Sequence, residues 1–155
     1  MGRVREVQDG DVGYVARKMR DADRREVAAA TGREPFEALE TSIYMSRIAC
    51  SIVDATDVPV AIFGVAEADD VTGIVWLLGT DDLTRGKLGR QFLRECRFYL
   101  DRLHDHWPLL TNCVDERNTV HASWLRWVGC TFLRRHERYG YEQRPFLEFV
   151  RIRHV

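Results

Sequence analysis

The chain reads as an α/β (α+β) protein with one mixed central sheet of about six to seven strands, flanked by helices. Three observations predict this. First, 155 residues with a hydrophobic fraction of 45% fit one domain, 1–155, with a substantial core. Second, apolar strand-like runs alternate with stripes at helical spacing, in the order β-α-α-α-β-β-β-α-β-α-β-β. Third, the apolar run Gly73–Gly79 leads through a loop into a long helix and then a further strand, which is a crossover between parallel strands.

The elements follow in order. Residues 3–8 read as a short strand. From Asp11 to about Ala30 the pattern is helical, with Val12, Val15, Ala16 and Met19 on one stripe, and a turn at 21–23 breaks it in two. Gly32 stops the second helix. Pro35, near the first helical position, starts a third whose expected buried face is Phe36, Leu39, Ile43 and Tyr44. Arg47–Asp54 and Val58–Glu67 read as a hairpin. Gly73–Gly79 is expected to be buried on both faces, as central strands are. A helix from about Leu88 to Asp105 shows Phe92, Cys96, Tyr99, Leu100 and Leu103 on its inner side, and Leu109–Val114 is a strand. Asn118 can cap the next helix, and Gly129 can end it in a left-handed conformation. Strands near 130–138 and 143–152 close the chain around Tyr139–Tyr141.

Composition excludes several classes. The net charge of −1 gives no global field for nucleic acid or an anionic membrane. No run approaches the roughly 20 apolar residues of a membrane span. No apolar stretch follows Met1, so no secretory signal is expected. Cys50, Cys96, Cys113 and Cys130 are widely spaced, with no C-x-x-C pair, so neither zinc nor dithiol chemistry has a signature, and a reducing compartment fits. Trp76, Trp124 and Trp127 read as core, since positions 124 and 127 lie on nearly the same side of a helix. His104 and His106 share no face and read as solvated.

The element order resembles the GNAT fold of the Gcn5-related N-acetyltransferases. The sharpest likeness is Asn118–Phe132, where an Asn-started helix runs to a glycine 11 residues on, after the strand Leu109–Val114. A narrower resemblance runs through Met19–Val27, Pro59–Val65, Trp76–Thr80, Phe92–Cys96 and Asp115–Trp127. These segments are similar to the GNAT-like internal virion proteins of short-tailed (podovirus) phages. That likeness implies a phage origin, a role in virion assembly or ejection, phage or host proteins as partners, and a place in the bacterial host cytoplasm or the phage particle.

The GNAT resemblance implies acetyl-CoA as a possible cofactor and no metal. It places a phosphate loop at 80–90 and the cofactor-binding residues at Leu78, Gly79, Thr80, Arg85, Gly86, Lys87, Leu88, Gly89, Arg90 and Asn118. Backbone N–H groups at a helix start hold anions well, and this segment supplies glycines and cations. The family pattern is Arg/Gln-x-x-Gly-x-Gly/Ala, whereas Gly86 and Gly89 are three apart, so the loop is either one residue short or binds nothing. Many active members carry a Tyr about seven residues after the Asn; that position is Leu125, which donates no proton. Ser123, Cys130, Tyr139 and Tyr141 are donors nearby. For a base, Glu67 at a strand end and His121 are the candidates, although a capping or core role bonded to backbone is the plainer reading of His121. The leading expectation is therefore a virion or assembly protein on this fold with partly degenerate catalytic motifs. The alternative is an acyl-CoA-dependent N-acetyltransferase acting on a protein or small-molecule amine. A module that inhibits a host protein by surface contact is a third.

Overall fold

The computed structural model describes residues 1–154. Seven strands form one sheet: β1 (Arg3–Glu6), β2 (Ile48–Val53), β3 (Pro59–Glu67), β4 (Thr72–Gly79), β5 (Leu109–Asp115), β6 (Thr131–Tyr139) and β7 (Arg144–Ile152). Their spatial order is β1-β2-β3-β4-β5-β7-β6, and every neighbouring pair is antiparallel except β4–β5. The helices are α1 (Asp11–Lys18), α2 (Asp21–Thr31), α3 (Pro35–Met45), α4 (Gly86–Leu103) and α5 (Thr119–Trp127). A 3-10 turn, Asp81–Thr84, joins β4 to α4.

Side chains alternate across a strand, so β3 and β4 divide two cores between them. Ile62, Trp76 and Leu78 face α1, α2 and α3, where Val15, Met19, Val27 and Leu39 pack. Ala61, Val75 and Leu77 face the opposite way, towards α4 and α5. The loop between β4 and α4 therefore carries the chain from the sheet onto the second face.

Several expectations are corrected by the packing. The break between α1 and α2 falls at Met19–Arg20, where extended residues interrupt the helix, not at 21–23. Helix α4 starts at Gly86 and ends at Leu103. On α3 the buried residues are Ala38 and Leu39, while Tyr44 is 88% exposed. Tyr44 stands five residues beyond Leu39, about 140° round the helix, off the core stripe. Phe36 is half-exposed, at the edge of the helix layer beside Gly13 of α1. Trp127 is 53% exposed, with the Arg97 guanidinium 4.6 Å over its ring. It stands about 200° round α5 from Leu125, which holds the buried face. His104 is buried, with Nδ1 2.9 Å from the Trp107 carbonyl, because it closes the turn that leads into β5. Gly129 has φ +91°, as a left-handed helix stop requires.

β4 is not sealed on both faces: Ile74 to Leu77 are part-exposed. The cause is the feature that builds the candidate site.

Candidate functional site

β4 and β5 run side by side for three residue pairs and then part. The register is Thr72–Leu109, Gly73–Leu110 and Ile74–Thr111, and no pairing follows. Just past it, Asn112 Nδ2 donates to the Val75 carbonyl at 2.7 Å, a side chain standing in for the next rung. Thr80 N donates to Val60 O and Ala68 N to Thr72 O, so the even-numbered residues of β4 address β3. Val75, Leu77 and Gly79 turn their backbone groups into the gap, and Leu77 has no strand opposite its N–H and C=O.

The mouth of this V is held by carboxylates from α2. Gly79 N donates to Asp23 Oδ2 at 3.0 Å, and Gly79 O accepts from Arg20 N at 2.9 Å. Asp23 is fully buried and is gripped by Arg20 through Nε (3.2 Å) and a terminal nitrogen (2.8 Å). Glu26, one turn on, reaches the other arm: its Oε2 accepts from Asp115 N at 3.1 Å. Asn118 Nδ2 ties the two acids together, at 3.3 Å from Asp23 and 3.0 Å from Glu26. Burial raises the Glu26 carboxyl to about 8; the charges of Asp23 and Asp115 push the same way, against the Asn118 and Asp115 N–H bonds. At neutral pH Glu26 is a mostly protonated acid whose proton is easily shed.

On the α4 and α5 side, a cavity of about 350 Å³ opens over Leu77. Leu83, Gly89 and Phe92 line one wall, and Val120, His121 and Trp124 the other. The Phe92 and Trp124 rings stack at 5.5 Å. His121 Nδ1 has no hydrogen-bond partner among the described residues. Burial lowers the His121 imidazole to about 4, against the pull of Asp23, so it is neutral at pH 7. A second cavity of about 350 Å³ also touches His121 and Trp124 and includes Glu26, Asn112 and Tyr139 in its lining.

The loop at the head of the cleft ends in free amides. Arg85 N is satisfied by Asp82 O and Gly89 N by Arg85 O, and no side chain caps α4. The N–H groups of Gly86, Lys87 and Leu88 are the open first turn of an 18-residue helix. A Cβ at Gly89 would stand 2.5 Å from Thr84 O, so only glycine lets this turn sit on the 3-10 turn. Lys87 and Arg90 are exposed beside it. This donor set fits a phosphorylated ligand.

No family model matches the chain, and no curated protein sequence does. Among solved structures, an acetyltransferase of the GNAT family from Bacillus anthracis superposes with a TM-score of 0.72, over 97% of this chain and 94% of its own, at 9% identity. The chain has the GNAT fold. A GCN5-related N-acetyltransferase from Kribbella flavida gives a TM-score of 0.68 at 16% identity, covering 97% of each chain. The spermidine N-acetyltransferase of Vibrio cholerae, solved with CoA and spermine, gives 0.66 at 14% identity, over 98% of this chain and 95% of that one. At these identities the likeness is one of fold.

Within this GNAT fold the residues singled out from the sequence have unequal fates. Gly86, Lys87, Leu88, Gly89 and Arg90 form the first turn of α4, where Gly89 lines the cavity over Leu77 and Leu88 the second cavity. Leu78 is buried on the far face, and Thr80 is buried with its Oγ1 bonded to Val60 O, so neither opens to the cleft. Gly79 is engaged by Arg20 and Asp23. Arg85 is exposed beside Asp81 (3.7 Å) and Asp82 (3.4 Å). Asn118 caps α5 at 3.4 Å from His121 N, and its amide is spent on the two acids. Glu67 lies at the opposite end of β4, across from Gly73, where it accepts from Arg47 (2.6 Å) and Trp107 Nε1 (3.0 Å). The structure does not bring Glu67 to the V. Leu125 is core. Cys130 is raised to about 11 by burial and Tyr139 to about 12, so both keep their protons.

Sequence reading missed Glu26 and Asp23. Their spacing on α2 puts both on one face, one turn apart, among Val27 and Ala29 of the buried side. Acids on the buried stripe of a helix were the available signal. No group of His, Cys, Asp and Glu able to hold a metal ion occurs among the described residues, and no helix is long and apolar enough to cross a membrane.

Proposed function

We propose that the chain is an acyl-CoA-dependent N-acyltransferase that modifies an amine, with Glu26 as the general base. One observation carries the reading: the V between β4 and β5 has an unpaired Leu77 backbone facing a cleft and a proton-exchanging acid at its mouth. The N–H groups of Gly86, Lys87 and Leu88, with Lys87 and Arg90, would hold the pyrophosphate. Leu77 would hold the pantetheine arm through its backbone. When bound, the cofactor supplies an acyl thioester, whose C–S bond is exchanged for a C–N bond to the amine.

The residues of the chain do the rest. Glu26, once ionised, takes a proton from the substrate ammonium, and the free amine so formed attacks the thioester carbonyl. Asn118 and the Asp115 N–H hold its carboxyl in place. His121, neutral and with a spare ring nitrogen, supports the charge that develops on the departing sulfur, a task Leu125 cannot perform. The ionised fraction of Glu26 grows through pH 8, so turnover rises with pH across that region.

Calorimetry with acetyl-CoA, then thiol release in the presence of polyamines and peptide N-termini, tests this. Saturable binding and amine-dependent release are expected, and Glu26→Gln lowers turnover about 100-fold or more with binding retained. No binding heat at millimolar ligand overturns it.

A second reading keeps the fold and drops the chemistry: a phage internal virion or assembly protein. It draws on the sequence resemblance and on Leu125 in the tyrosine position. Mass spectrometry of purified particles tests it; absence from particles and from assembly intermediates removes it.

A further inference from the structure

The inner side of α4 is underpacked. Leu88, Phe92, Tyr99 and Leu100 point at the sheet yet are only half-buried, and among the helix's apolar side chains Cys96 and Leu103 alone are closed off. The space beneath them belongs to the cavity of about 350 Å³ that also touches Glu26. Its walls on this side are Val75, Leu77, Phe92, Cys96, Leu100 and Trp124. Near the start of the helix the Gln91 side chain accepts from Gly2 N (3.0 Å) and donates to Gly2 O (2.9 Å), strapping the helix to the chain before β1. A water molecule takes about 30 Å³ of liquid, so the space is many waters in size, and the apolar side chains under α4 favour an apolar guest there. An acetyl group would leave most of the space empty.

Val75 and Leu77 belong to both this space and the V. The cavity is thus continuous with the place where, on the function proposed above, the thioester reacts. We propose that it receives an acyl chain longer than acetyl, delivered as its CoA thioester. The cavity is lined by Arg3, Gln91, Glu95 and Arg151 as well, so the apolar fit is confined to the walls of Val75, Leu77, Phe92 and Leu100.

The test is a calorimetric series with CoA, acetyl-, butanoyl-, hexanoyl- and octanoyl-CoA on the intact protein. Affinity should climb roughly fourfold per methylene until the space is full. Filling the cavity should flatten that climb: Cys96→Phe and Leu100→Trp lower the ratio of octanoyl to acetyl affinity at least tenfold. Circular dichroism confirms that each variant is folded, and the wild-type series stands alone should either fail. If acetyl-CoA binds and affinity is flat or falls with length, the long-chain inference is wrong while the acyltransferase reading stands. If no thioester binds, both fall.

Discussion

The two ends of the β4–β5 pair are built by opposite means. At the closed end, backbone bonds join Thr72–Ile74 to Leu109–Thr111, and Val65, Trp107 and Leu110 pack over Gly73. At the open end the backbones separate and side chains replace the rungs: Asn112 on Val75, Asp23 on Gly79, Glu26 on Asp115. The closed end is apolar and sets the strands' positions. The open end sets the buried Asp23 and the half-buried Glu26 in place of a ladder, at a cost in desolvation, and so keeps the gap open.

Breaking the open end should do the most damage. Asp23→Ala leaves Arg20, the Gly79 N–H and Asn118 without their buried partner. It should cost about 3 kcal/mol or more, read as a lower urea midpoint at unchanged slope. The closed end should be nearly as sensitive to volume. A Cβ at Gly73 would meet Val65 Cγ1 at 2.7 Å and the Leu110 and Trp107 side chains at 3.1 Å. Gly73→Ala should cost about 2 kcal/mol by the same measurement, with the V itself intact.

Glu26→Gln is expected to act in the opposite direction. Its folded carboxyl sits near 8 against an ordinary 4.5, so the folded chain holds a proton that the unfolded chain releases. Wild-type stability from this group is therefore undiminished below about 4.5, declines as pH rises to 8 and is fully lost above that. Gln can accept the same two bonds without a charge. The variant should gain on the wild type through that window, by about 1 kcal/mol or more at pH 8, measured by thermal melts at several pH values. A parallel pair of curves contradicts the raised carboxyl. The smallest effect belongs to the remote acid: Arg47→Ala removes an exposed ion pair to Glu67 and should change stability by less than about 1 kcal/mol.

The same contrast explains what the sequence discloses. The run Gly73–Gly79, the Asn118 cap and the Gly129 stop announce themselves locally, because period, capping and positive φ are properties of neighbouring residues. The long helix α4 is legible for the same reason, although it starts at Gly86 and not at about Leu88. The acids at the V are not: Glu26 is 89 residues from the Asp115 N–H it accepts, and Asp23 is 56 from Gly79. Their place beside Val27 on the inner stripe of α2 is the one local sign of the two acids, and it names no partner, whereas Glu67, ending a strand, looks suitable until Trp107 and Arg47 are seen to use it. Trp127 misleads for a related reason. Three residues from Trp124 it shares a side of the helix, yet Leu125 decides which side meets the sheet.

The most direct test of the central claim is an amide-resolved NMR titration with acetyl-CoA. The open V and the uncapped α4 predict saturable shifts that peak at Leu77 and at Gly86, Lys87 and Leu88, with Thr72–Ile74 at the closed end unmoved. Shifts absent at millimolar ligand, or confined to residues outside the cleft, contradict it.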